Sequence, residues 1–220
     1  MIRNELIRTL KYVDRNSYIL DICDSKNVLH LGCTDFPFHQ EQFESGNLLH
    51  RRLINKCKNL YGVDISEEAI DWCRENVGGG EYFLYDIESK EFPGKLQSLD
   101  VDIILLPDVI EHLNNPGLAL ANIRALCVKN GCKLIITAPN AYSIKSYFRV
   151  VIGYEYIHQD HVAFYSIYTL YNLLKRFEFD CEDFFAFPGG GKAYPSLLIN
   201  LFLKWVPRLA EGIGIAATIR

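Results

Sequence analysis

The sequence predicts an α/β protein built on a doubly wound, mostly parallel sheet with helices on both faces. Three observations predict it. The stretch Val28-Leu29-His30-Leu31-Gly32-Cys33-Thr34-Asp35, answered by Leu60-Tyr61-Gly62-Val63-Asp64-Ile65-Ser66, reads as strand, turn, helix, strand, acid, the order of a nucleotide-binding half-fold. Three further short apolar runs, at 82–85, 101–106 and 133–137, alternate with helical patterns as buried parallel strands do. The chain has 220 residues, 49% of them hydrophobic, which suffices for one domain with a real core and requires no second.

The elements follow in order. Residues 3 to 25 place apolar side chains at helical spacing, Leu6-Ile7-Leu10 and then Tyr18-Ile19-Ile22, so residues 1–26 are expected to form a helical entry or partial lid beside the cleft. A strand near 28–32 ends at Gly32, whose missing side chain lets a ligand approach the backbone. From Gly32 to Asp64 is 32 positions, against about 20 usual between such a turn and its acid. The extra residues are assigned to 36–46, either a specificity loop or an insertion packed on the sheet edge. The basic run His50-Arg51-Arg52 with Lys56 and Lys58 reads as a solvated helix face. After the strand at 60–64, Ser66 caps a helix from Glu67 to Asn76, with Glu67 and Glu68 suited to its first turn and Gly78-Gly79-Gly80 ending it. The C-terminal part reads as a helix at 166–177, a strand at 180–187, a turn at Gly189-Gly190-Gly191, an apolar helix at 196–206 within an insertion at 188–207, and a last strand at 212–219. That apolar helix is expected to pack as core, the alternative being an interface that makes a homodimer.

Bulk properties narrow the partners. A net charge of −4 argues against nucleic acid, because phosphate contacts need clustered Lys and Arg. Seven cysteines, an odd number with no C-x-x-C pair, fit buried thiols in a reducing compartment and a cytoplasmic protein. The N-terminal residues lack the features of a secretory signal. The apolar stretch 195–206, interrupted by Asn200 and Lys204, is well short of the ~20 residues a membrane span needs.

The ligand follows from the turn. Asp64 ends the second strand, where a carboxylate can accept from two ribose hydroxyls. A pyrophosphate would need bare backbone N–H groups after Gly32, and the chain instead offers Cys33, Thr34, Asp35 and Phe36, with a negative charge at Asp35. An adenosine ligand carrying a sulfonium and an amino-acid tail tolerates such a turn, and S-adenosylmethionine fits.

At these residues the chain resembles the class I S-adenosylmethionine-dependent methyltransferases, in particular the small, broad-substrate branch of methyltransferase type 11/12. The resemblance runs over most of the chain. It is carried by Leu31-Gly32-Cys33-x-Asp35, the segment Tyr61 to Ser66, Tyr82-Phe83-Leu84-Tyr85-Asp86-Ile87, Ile104 to Leu113 with its Pro107-Asp108-Val109-Ile110-Glu111-His112, and Gly131 to Pro139 followed by Asp160-His161-Val162-x-Phe164-Tyr165-Ser166. It implies a Rossmann-like sheet of seven strands whose last strand is antiparallel and pairs with its predecessor at the sheet edge. It also implies cofactor contacts from Gly32, Cys33, Asp64, Ile65, Asp86, Ile87 and Pro107, with Asp86 accepting from the adenine amino group and the two isoleucines on the ring faces. Three positions depart from the pattern: His30 stands where an acid is usual, and Thr34 and Phe36 where glycines are.

Methyl transfer from a sulfonium is an in-line displacement that chiefly needs alignment, plus a base where the acceptor is an alcohol or amine. Asp108, Glu111 and His112 follow the fourth strand at spacings that bring them together in a helical turn, and the resemblance turns this segment toward the methyl group. His112 is then either the base or a structural residue bonding the loop backbone. His161, in His158-Gln159-Asp160-His161, is the second candidate, closing from the opposite side. That cluster also has the look of a metal site, but it supplies two imidazoles and the remaining ligands would have to come from elsewhere, so no metal is expected. Tyr142, Tyr147, Tyr154 and Tyr156 are candidates to stack on a sugar or aromatic acceptor, or else pack. The expectation is a methyltransferase acting at oxygen or nitrogen of a small molecule or carbohydrate. Its rivals are a catalytically silent module that binds a partner, with the 195–206 helix exposed, and a nucleotide-dependent oxidoreductase.

Overall fold

A computed structural model of the chain describes residues 10–90, 94–155, 157–189 and 197–219. The chain runs β1 (Leu10–Tyr12), α1 (Arg15–Ile22), β2 (Asn27–Leu31), α2 (His39–Glu44), α3 (Leu49–Ile54), β3 (Asn59–Asp64), α4 (Glu67–Asn76), β4 (Glu81–Leu84), α5 (Gly94–Gln97) and β5 (Ile103–Pro107). A 3-10 turn (Ile110–His112) leads to α6 (Pro116–Asn130), β6 (Lys133–Pro139), α7 (Ile144–Val151), α8 (Ile167–Arg176), β7 (Phe179–Phe187), α9 (Leu197–Trp205) and β8 (Gly212–Ile219).

The strands form one sheet in the order β1-β7-β8-β6-β5-β2-β3-β4, in which β8 alone runs antiparallel to its neighbours. Successive side chains go to opposite faces. Leu29, Leu31, Ile104, Leu106, Leu134 and Ile136 pack in one core with α6 and α8, while Val28, Ile103, Leu105 and Ile135 pack in another with α1 and α3. Helices thus cover both faces, as the doubly wound pattern predicts. The helix at Glu67–Asn76 has the expected bounds, with the Ser66 hydroxyl accepting from the Ala69 N–H at 3.3 Å.

The sheet has eight strands where the resemblance implied seven. The addition is β1, which lies at the edge and pairs Leu10 with Phe184 and Tyr12 with Ala186. The helical entry expected from residue 3 therefore begins only at Arg15, where Asp14 caps α1 by accepting from the Ser17 N–H at 2.8 Å; Leu6 and Ile7 lie outside the described residues. Because β1 covers β7, the antiparallel pair β7–β8 is not at the edge. The turn at 189–191 falls largely outside the described residues.

A second correction concerns α9. It was expected to pack as core, but only Leu203 is fully buried, and Leu198, Leu201, Phe202 and Trp205 are exposed, Trp205 at 88%. Its apolar residues run round the whole helix, and one flank is all that the sheet edge can cover. Among the described residues no helix is long and apolar enough to cross a membrane, and all seven cysteines are free.

Candidate active site

The chain leaves β2 toward β3 on one side and returns to β5 on the other. At such a switch point the carboxyl ends of parallel strands leave a crevice. A cavity of about 780 Å³ opens there. Gly32, Cys33, Asp64, Ile65, Asp86 and Ile87 form its floor, and Pro107, Asp108, His112, His158 and Asp160 stand at its other end. Arg15 and Asn16 of α1 also line it, as do Phe36, Glu41, Gln42 and Ser45 from the extra residues after Gly32. Much of that insertion is the short helix α2 and not a loop. Of the sequence candidates, His161 and Glu111 are not on the cavity wall, although the His161 ring centroid is 4.6 Å from that of His112. Tyr142, Tyr147 and Tyr154 are exposed elsewhere, and Tyr156 lies outside the described residues.

The floor is tightly built. Gly32 has φ +69°, and a Cβ there would overlap a methyl of Val109, so this position needs glycine for its backbone and for the closure of the segment after β5 upon it. Asp64 is held by three donors: its Oδ2 accepts from the Thr34 N–H at 3.1 Å and the Thr34 hydroxyl at 2.8 Å, and its Oδ1 from the Ser66 N–H at 3.1 Å. Thr34 thus has a positive task. A carboxylate has about four lone-pair sites, so one remains for a ligand without rearrangement. Ile65 is 70% exposed on the wall, an apolar side chain left for a ring face. Burial and the charge of Asp64 push the Cys33 thiol well up, so it stays protonated.

His30 does not serve as the acid usual at its position. It is buried, and its Nδ1 lies 3.2 Å from Nδ1 of His50 on α3, so that one ring donates to the other. Both Nε2 atoms are without a partner among the described residues. Burial holds both rings well below the ordinary histidine pKa, His50 at about 3, so the pair is neutral.

Asp108, which follows β5 directly with a left-handed φ of 52°, takes the Thr137 hydroxyl at 2.8 Å on one oxygen and an ion pair from Arg15 on the other. A non-glycine residue there is strained, and such strain clusters at functional sites. Behind it Glu111 is 1% exposed, and neither of its oxygens has a partner among the described residues. Burial and the charge of Asp108 push its carboxyl up to about 9, so it is neutral at physiological pH. The Val162 and Ala163 N–H groups donate to the Glu111 carbonyl at 2.9 and 3.2 Å, which draws the His158–His161 segment onto the 3-10 turn. His112, His158 and His161 therefore meet, with one ring nitrogen of each within 4.8 Å of the others. Burial holds His112 and His161 below the usual histidine value, the neighbouring imidazoles adding to it.

Seven carboxylate residues line the cavity against two arginines. That wall suits a ligand bearing an ammonium and a sulfonium, and repels a pyrophosphate. Residues 5–183 match the model of a methyltransferase domain family. The chain belongs to that family. At the level of sequence, no curated protein is significantly similar to this methyltransferase. Solved structures resemble it in fold. The TehB-like S-adenosylmethionine-dependent methyltransferase of Corynebacterium glutamicum aligns over 94% of this chain and 88% of its own, with TM-score 0.57 at 13% identity. Magnesium protoporphyrin IX methyltransferase of Synechocystis, solved with S-adenosylhomocysteine, aligns over 94% and 82%, with TM-score 0.59 at 13% identity. The N-methyltransferase NodS of Bradyrhizobium japonicum, also solved with that product, aligns over 93% and 85%, with TM-score 0.56 at 14% identity.

Sequence reasoning gave no site role to Arg15, Asn16, Asn47, Arg52 or Glu88 of the wall, and it missed three relations. Thr34 orients Asp64, His50 partners His30, and His112 joins the His158–His161 pair. Only the last had a signal in the sequence, in the Glu111-His112 and His-x-Asp-His motifs read separately.

Proposed function

We propose that this methyltransferase transfers the methyl group of S-adenosylmethionine to an oxygen or nitrogen of a small molecule or carbohydrate. The acidic crevice with Asp64 fixed at its floor carries the reading. Asp64 would hold the ribose, Asp86 the adenine amino group, and Ile65 and Ile87 the ring faces, with Gly32, Cys33 and Pro107 forming the wall against which the cofactor lies. When bound, the cofactor supplies a methyl carbon on a positively charged sulfur that leaves as a neutral thioether. His112 would take the acceptor's proton as the new bond to carbon forms and the carbon–sulfur bond breaks, and its depressed pKa leaves it free to do so. Asp108, held by Arg15 and Thr137, would set the position of the turn that carries His112, and His161 supports that ring from behind.

We further read the chain as a single-domain cytoplasmic enzyme, with α1, whose Arg15 and Asn16 line the cavity, as a partial lid and α9 as a helical insertion before the last strand. A second reading is favoured by the exposed apolar face of α9, which suits a docked partner or a homodimer, and in its strong form the domain binds that partner and has lost catalysis. Isothermal titration with S-adenosylhomocysteine decides between them. Micromolar binding by the native chain, weakened about 100-fold or more in Asp64→Ala through loss of charged hydrogen bonds, supports the enzyme; absence of binding by the native chain supports the silent module.

A further inference from the structure

We propose that His112, His158 and His161 hold one first-row divalent transition-metal ion at the mouth of the cavity. The three imidazoles converge on one point, a ring nitrogen of each lying within 4.8 Å of the other two. Backbone bonding builds this convergence. The donation of Val162 and Ala163 to the Glu111 carbonyl fixes one segment to the other, and the His161 N–H to the His158 carbonyl at 3.1 Å closes the turn that carries both of its histidines. Tetrahedral or five-coordinate binding, with metal–nitrogen distances of about 2.1 Å, separates ligand atoms by about 3.4 Å. The rings must therefore draw in by rotamer adjustment alone, which half-buried side chains at a surface can make.

The groups behind the rings have the character of an outer shell. Metal-bound histidines give their other ring N–H to a carbonyl or carboxylate. Nδ1 of His112 lies 3.2 Å from the Asp160 carbonyl, which leaves its Nε2 for an ion. Nδ1 of His158 accepts the Asp160 N–H at 3.3 Å and lies 3.6 Å from the Asp160 carboxylate, so ligation through Nε2 takes the other tautomer, with the Nδ1 proton turned to that carboxylate. One aspartate thus stands behind two of the three rings, and its charge offsets part of the cation's. The donor set is all imidazole, with no thiolate and no inner carboxylate among the three. It suits zinc, cobalt, manganese or iron(II), and neither magnesium nor calcium, which take oxygen ligands.

Three protein ligands leave positions open, and His112 and His158 both line the cavity, so those positions face the acceptor end. The role of the site deepens the methyltransferase reading and rests on it: the acceptor would present a hydroxyl to the ion, which would lower that hydroxyl's pKa, with its proton passing to solvent. In this state His112 serves as a ligand and not as the base. The alternative is that the rings pack edge to face with no ion between them.

The test uses the full chain stripped of metal with a chelator, titrated with zinc by calorimetry and with cobalt by visible absorption. The expected result is one ion per chain at micromolar affinity, with cobalt d–d bands of a four- or five-coordinate nitrogen and oxygen site and no thiolate-to-cobalt charge-transfer band. His158→Ala and His161→Ala should each weaken binding by about 100-fold while their affinity for S-adenosylhomocysteine stays within about twofold, which shows that the cleft is intact. Three results would overturn the proposal: no binding of either ion tighter than about 100 μM, unchanged affinity in both variants, or a thiolate band that moves the ion to a cysteine. Cobalt binding with these spectra in a chain that does not bind S-adenosylhomocysteine would sink the cofactor reading and leave the metal site standing.

Discussion

Two groups of histidines sit on either side of the turn at Gly32 and come to opposite ends. His30 and His50 are sealed between β2 and α3, fully neutral, each with a ring nitrogen that has no partner among the described residues. His112, His158 and His161 are half-buried at the mouth of the cavity and converge on one point, with Asp160 backbone groups bonded to the first two rings. Burial lowers the pKa of His30 and His50 and also of His112 and His161, but it is a structural liability in the first pair and a readiness to accept a proton or a cation in the second. What separates them is solvent access, which neither residue type nor sequence spacing encodes.

The largest effect that would sharpen this contrast is on acid stability. His50 titrates at about 3 in the fold and near its ordinary value of about 6.5 when unfolded. Above the unfolded value both states are neutral and the pair costs nothing by titration. Below it the unfolded chain binds protons that the fold refuses, so stability is lost as pH falls from about 6.5 toward the folded pKa. At pH 4.5 His50 alone accounts for about 3 kcal/mol. Urea unfolding across this range should therefore show a steep loss in the native chain that flattens in the double variant His30→Leu/His50→Leu. An equal flattening in His158→Ala would erase the distinction between the two groups.

A smaller effect tests whether the two groups are mechanically linked through the turn. Alanine at position 32 meets both a left-handed backbone and the Val109 methyl, costs of about 1–2 kcal/mol each, and Val109 is the residue that leads into the 3-10 turn bearing His112. Gly32→Ala should lose about 2–3 kcal/mol of unfolding free energy, and adding Val109→Ala should recover about half by removing the clash while leaving the backbone strain. No recovery would mean that the strain at φ +69° is the whole cost, and that the mouth does not feel the floor.

How much of this was legible in the sequence varies with the range of the interaction. The helix Glu67–Asn76 and the last strand, Gly212–Ile219, were readable to the residue, because capping and apolar runs are local signals. Strand β1 was not. Leu10-Lys11-Tyr12 carries a helix-compatible spacing, and what makes it a strand is an edge near residue 185 that only the folded chain presents. The site divides the same way. Gly32, Asp64, Asp86 and His112 announce themselves in motifs, whereas the meeting of His112 with His158 depends on two backbone hydrogen bonds to Glu111 across about 50 positions. Exposure of α9 was also unreadable, since composition states how apolar a helix is and not how much of it a sheet edge can cover.

The smallest expected effect concerns the floor, and it turns a departure from the family pattern into a test. Thr34 stands where glycine is usual and donates both its N–H and its hydroxyl to one oxygen of Asp64. Those bonds fix the carboxylate before any ligand arrives, which reduces the freedom lost on binding, but the hydroxyl also occupies a lone pair that a second ribose hydroxyl would need. Thr34→Val removes the hydroxyl at nearly constant volume and leaves the N–H bond in place. If orientation outweighs competition, S-adenosylhomocysteine should bind about fivefold more weakly, the worth of one hydrogen bond of about 1 kcal/mol. Tighter binding in the variant would show instead that Thr34 holds the ribose position against the ligand. The floor would then be more open in a glycine-bearing relative than in this chain, and the contrast between a prepared floor and an adaptable mouth would have to be drawn the other way.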